Sequence, residues 1–112
     1  MKECALFTIT LLHSATNTHL MHFKTNSFSQ HMALGEYYDE IVDLVDALCE
    51  QYMGKYGKIT DFPNTYHSAK DPVQYLQNLG KFVEEARADL PQDSRLQNKV
   101  DAIAELISQT IS

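Results

Sequence analysis

Between Ser29 and Tyr52 the sequence carries two patterns at helical spacing, one apolar and one acidic. Leu34, Tyr38, Ile41, Val45, Leu48 and Tyr52 recur by four and three and make one apolar seam. Asp39, Asp43, Asp46 and Glu50 alternate the same way on the far side. This predicts a long helix with a core face and an acidic face, ended by Gly54 and Gly57. Its seam must be covered by other elements. The 112 residues make one domain, 1–112, and are enough to build that cover without metals or disulfides as staples.

The covering elements also read as helices. A first helix runs from about Cys4 to Lys24, with Ala5, Ile9, Leu12, Thr16 and Phe23 on one stripe and Leu6 and Leu20 widening it. Its threonine-rich front half also fits a strand. Thr25-Asn26-Ser27 breaks the chain, and Ser27 or Ser29 caps the long helix. Lys58 to Lys70 has no helical or strand pattern. Extended, such a segment reaches roughly 40 Å. A 24-residue helix is shorter, ~36 Å. The segment can therefore return the chain to the far end of the bundle and set the second and third helices parallel. Asp71-Pro72 opens the third helix, with Leu76, Leu79, Val83, Ala86 and Leu90 as its seam. After Leu90-Pro91, Asp93 or Ser94 caps a fourth lined by Leu96, Val100, Ile103, Ile107 and Ile111. The short Pro91–Asp93 link makes the last two antiparallel. The expected fold is all-α: a four-helix ferritin-like bundle with a long crossover between helices 2 and 3.

Charge excludes several partners. With a net charge of −6, a pI of about 5.2 and no Lys/Arg cluster, a nucleic-acid polymer is not expected. No apolar run is long enough to span a membrane. The start, MKECALFTITLL, has Glu3 against Lys2 and is interrupted by Thr8 and Thr10, so it does not read as a signal peptide. Cys4 and Cys49, with no CxxC, fit free thiols in a reducing cytoplasm.

The chemistry concentrates in His19–Glu50. Three of the five histidines precede six carboxylates, and no Lys or Arg stands between Lys24 and Lys55. A charge run is usually a solvated face. Imidazoles beside unneutralised carboxylates also suit a hard or borderline divalent cation. His31 lies twelve residues after His19, Asp46 fifteen after His31, and Glu50 four further. On one helix fifteen residues advance ~22 Å and turn to within about 60° of the starting direction. One chain cannot bring His31 and Asp46 to one ion. Two antiparallel copies can: His31 of one meets Asp46 and Glu50 of the other, twice, about a two-fold axis. His19 can join His31 because the chain turns back between them, and His22 shares a helix face with His19. His13 reads as a packing residue and His67 as an exposed crossover residue.

The spacing His19, His31, Asp46, Glu50 resembles the ferroxidase segment of the Dps-type miniferritins, with Phe28 matching an aromatic between the histidines. That resemblance implies an inter-subunit site that oxidises iron with dioxygen or peroxide. Gly35 stands where that family has an acid, with Glu36 and Asp39 nearby, and the chain is short for the family. Zinc or manganese held structurally is the other metal reading. The phrase HFKTNSFSQHMALGEYYDEIVDLVD, with the His19/His22 pair, is similar to small phage-encoded ferritin-like proteins of unsettled function. It implies a viral protein in a bacterial cytoplasm. A reading of a different class is a non-enzymatic oligomer that sequesters a small anionic ligand between subunits. A nucleotide signalling molecule, withheld from a host defence, is an example. Lys24, Tyr37, Lys55, Tyr56 and Lys58 are its candidate residues, with Tyr37 and Tyr56 free of the seam. A third reading is a protein–protein inhibitor. Either way the expected assembly is a homodimer or higher oligomer through helices 1 and 2.

Overall fold

The computed structural model describes residues 2–64 and 66–112. Among these the regular structure is helical: α1 (Lys2–Lys24), α2 (Phe28–Tyr56), α3 (Pro72–Ala86) and α4 (Ser94–Ile111), with a 3-10 turn at Arg87–Asp89. Ser27 caps α2 by accepting from the Gln30 amide, and Asp93 caps α4 by accepting from the Leu96 amide. Pro72 opens α3, where its missing N–H costs nothing. The helix α2 runs four residues past the expected Tyr52 and passes through Gly54. It stops at Gly57, whose φ of 101° is open to glycine and costly for other residues.

Packing runs in a ring: α1 on α2, α2 on α4, α4 on α3, and α3 lightly on α1. Ser27–Leu34, Pro72–Leu76 and Gln109–Ser112 meet at one end of the molecule. Gln51–Lys55 meets Asp93–Arg95 at another. So α2 and α3 start together and run parallel, and the segment 57–71 is the crossover that returns the chain. Asn17 pins it: its amide donates to the His67 carbonyl and to the Tyr75 hydroxyl, and its oxygen accepts from Tyr66.

The seams of α3 and α4 are buried as expected, with Ala86 and Ile111 partly buried at their ends. Two expectations are corrected. On α1 the buried stripe is Cys4, Phe7, Thr8, Leu11, Ser14, Thr18 and Met21. Of the stripe read from sequence only Ala5 is buried; Ile9 and Leu12 are half-buried, and Thr16 and Phe23 are exposed. Both sides of α1 are uncharged, so periodicity alone does not choose between them. The inner side is chosen because its hydroxyls satisfy themselves. Ser14 donates to the Leu11 carbonyl at 2.6 Å and Thr18 to the Ser14 carbonyl at 2.7 Å. On α2 the seam takes Tyr37, not Tyr38. Tyr37 is fully buried (0 % exposed), against the expectation that it was free for a ligand. Its hydroxyl lies 2.7 Å from Ser14 Oγ. The Ser14 proton is already directed to Leu11, so Tyr37 is the donor there.

Candidate functional site

The turn between α1 and α2 folds His22 back onto the first turns of α2. Nδ1 of His22 lies 2.6 Å from the His31 carbonyl, and Nδ1 of His31 lies 2.9 Å from the His22 carbonyl. A carbonyl only accepts, so both Nδ1 atoms carry protons and donate. The rings stack with centroids 3.7 Å apart at 19°. In each neutral ring the lone pair is therefore left on Nε2, the way metal-binding histidines are usually held by a backbone carbonyl behind them.

The stack limits what the pair can bind. An imidazole lone pair lies in its ring plane. Two nearly parallel planes do not converge on one nearby point, so His22 and His31 cannot both ligate one ion while stacked. His31 stacks on His22; His19 instead stacks on Tyr38 at 4.0 Å, with its ring centroid 6.4 Å from that of His22.

Gly35 is explained by this stack. A Cβ there would stand 3.2 Å from His22 Cε1 and 3.3 Å from Nδ1. The His22 ring thus occupies the space beside position 35, where the miniferritin pattern has its acid. Glycine in mid-helix costs about 1 kcal/mol relative to alanine, and here it admits the ring. We expect Gly35→Ala to leave stability nearly unchanged and to push the rings apart. Side-chain NMR of the histidines checks this: ring signals that do not shift would show that the backbone gives way instead.

His22, His31, Met32, Gly35, Glu36 and Asp39 line a shallow depression of about 270 Å³. Asp46 and Glu50 lie elsewhere on α2, exposed, and the unbroken helix holds Asp46 ~22 Å along from His31. Among the described residues no three His, Cys, Asp or Glu side chains gather in one chain as a metal group. Tested against the paired iron of the miniferritins, the residues present do not fit: the ring of His22 stands beside Gly35, and no acid replaces the missing ligand at that place.

The residues of the anionic-ligand reading are scattered. Tyr37 is removed from it by burial. Tyr56 donates to Asp93 at 2.6 Å, which holds the Asp93 carboxyl below its ordinary range and raises the Tyr56 phenol. Lys55 lies 5.4 Å over the Tyr56 ring. With Glu50, Arg95 and Ser94 it also lines a depression of about 560 Å³ between the end of α2 and the start of α4. Lys24 and Lys58 are exposed elsewhere. Arg95 was missed from sequence; it follows the cap at Asp93, and the crossover topology brings it opposite Lys55. His13 meets Tyr66 edge-on at 5.1 Å, and His67 is exposed.

Both cysteines are free. Burial pushes the Cys4 thiol up to about 11, with nearby Cys49 adding to it, and burial also raises Cys49. Thr8 Oγ1 lies 3.3 Å from the Cys49 sulfur. Protonated thiols are poor nucleophiles, so this pair is packing material.

These features define a small four-helix protein with a histidine stack at one end of a long acidic helix. Among the described residues no helix is long and apolar enough to cross a membrane. The model of a family of unknown function, DUF5856, matches residues 22–111, and the chain belongs to that family. The match takes in α2, the crossover, α3, α4 and the His22–His31 pair. The chain is also similar to the "Uncharacterized 14.6 kDa protein in mobD-ri intergenic region" of Enterobacteria phage T4, at 25 % identity over 95 residues, 82 % of this chain and 72 % of that protein. No solved structure matches.

Proposed function

We propose that this is a phage protein of the host cytoplasm that acts as a homo-oligomer and holds a divalent metal ion between two copies. His31 of one chain and Asp46 and Glu50 of the other are the ligands, with His19 and His22 beside them. Zinc, manganese or iron would each suit one imidazole and two carboxylates. The observation that carries the reading is the state of His31: its Nδ1–H is fixed by a backbone carbonyl, on a helix that stays unbroken to Asp46 and Glu50. The stripe between supports antiparallel pairing. Phe28 is 78 % exposed, and Val42 and Met53 are also exposed. The long crossover supports a ferritin-like plan; iron oxidation does not follow from the ligands present.

The test is metal content of protein purified without chelator, followed by zinc titration. His31→Ala and Asp46→Ala should each weaken binding by at least about tenfold, since loss of a supporting residue alone commonly costs that much. Equal affinity in wild type and both variants would end the reading.

A second reading, capture of a small anion between Lys55 and Arg95, has the depression between α2 and α4 in its favour and the carboxylates of Glu50 and Asp93, which line it too, against it. A nucleotide panel in thermal shift tests it: binding to the native state must raise the melting temperature.

A further inference from the structure

The stripe of α1 that the fold leaves outside has its own order. Leu6, Ile9, His13, Thr16, Leu20 and Phe23 lie at steps of three and four, on the side of α1 opposite the buried Phe7–Leu11–Thr18 stripe. Leu6 is 46 %, Leu20 43 % and Phe23 68 % exposed. Ile9 and His13 are half-buried: they line a groove of about 220 Å³ with Pro63 and His67 of the crossover, and Tyr66 meets the His13 ring edge-on.

Two properties say what covers this face. First, it is neutral: from Cys4 to Phe23 the sequence has no Asp, Glu, Lys or Arg. The other helices expose carboxylates, including Asp43 on α2, Glu84 on α3 and Glu105 on α4. In a chain of net charge −6, a second copy meets the least like-charge repulsion on α1. Second, the stripe reads the same from both ends. Its order is apolar, apolar, polar, polar, apolar, apolar, and its steps are symmetric about the middle. An isologous interface requires such self-complementarity. Laid antiparallel on itself, Leu6 meets Phe23 of the other copy, Ile9 meets Leu20, and His13 meets Thr16 near the axis.

We infer that the outer stripe of α1 is a homodimer seam, with a second copy of this chain lying antiparallel on it. The seam does not depend on the proposed metal site. The helix α2 packs on the other side of α1, and the seam uses none of His31, Asp46 and Glu50; the two surfaces meet only where the Phe23 ring lies 4.8 Å from His19 and 5.7 Å from His22.

Sedimentation equilibrium of wild type and Thr16→Glu tests it. Thr16 is exposed in the protomer, so the change leaves helicity and core intact while burying a carboxylate of each copy in the seam, where it loses its water. In chelator, which removes any metal-bridged pairing at α2, the wild type should run at twice 12.8 kDa and Thr16→Glu at 12.8 kDa. Leu20→Glu should do the same, and Thr16→Val should keep the dimer. His31→Ala in chelator should keep the same dimer mass as the wild type in chelator. A monomeric wild type, or a Thr16→Glu dimer, overturns the seam. A dimer that resists Thr16→Glu and dissolves on chelation would overturn the seam and keep the metal reading.

Discussion

Replacing Tyr37 by alanine should cost about 4 kcal/mol of folding stability, the usual penalty for deleting a fully buried aromatic ring. A domain of this size has only roughly 5–15 kcal/mol in all. Tyr37→Ala should therefore be partly unfolded at temperatures where the wild type is native. The ring sits at 0 % exposure between α1 and α2, and nothing nearby can collapse into its volume without moving a helix. Tyr37→Phe separates ring from hydroxyl. It removes the donor to Ser14, while Ser14 keeps its own bond to Leu11, so about 1 kcal/mol should be lost. Urea midpoints of the two variants measure the difference. Equal midpoints for Tyr37→Ala and wild type would mean that the tyrosine is not part of the core.

Asn17→Leu should have the second largest effect, and a more local one. Asn17 is buried on α1 and holds Tyr75 at the start of α3 together with the His67 carbonyl and the Tyr66 hydroxyl. Leucine fills the same volume and satisfies none of them. At roughly 1 kcal/mol per lost hydrogen bond, about 3 kcal/mol should go. The loss falls on segment 57–71, which then keeps Ile59, Ala69 and the Tyr66–His13 ring contact, so limited proteolysis should cut there first. A crossover as resistant as the wild type's, with an unchanged urea midpoint, would show that Ile59 and the helix ends hold it unaided.

The parts of this fold that could be read in the sequence are those with one apolar face and one charged face. On α4, Leu96, Val100, Ile103 and Ile107 are buried as read, because most of the residues between them are polar; Leu106 joins them in the core. The crossover followed from length alone. On α1 no charge marks the outside, so the stripe read as core turned out to be buried only at Ala5 and exposed at Thr16 and Phe23. The choice between Tyr37 and Tyr38 rested on a serine of another helix, which no local pattern reports. At the site, the placement of His31 and Asp46 on one helix was legible from spacing. The stacking of His22 on His31 was not. It depends on the angle at which the chain leaves α1 through Thr25–Ser27. Gly35 could be read as a missing acid, but its reason is the ring beside it.

Exchange of chains between His31→Ala and Asp46→Ala tests the central claim most directly. Neither variant alone should bind zinc with the wild-type affinity. In a mixed pair one site lacks both ligands and the other has both, so isolated heterodimers should recover about one tight zinc site per pair. Heterodimers that bind no better than either parent would contradict a site shared between two copies.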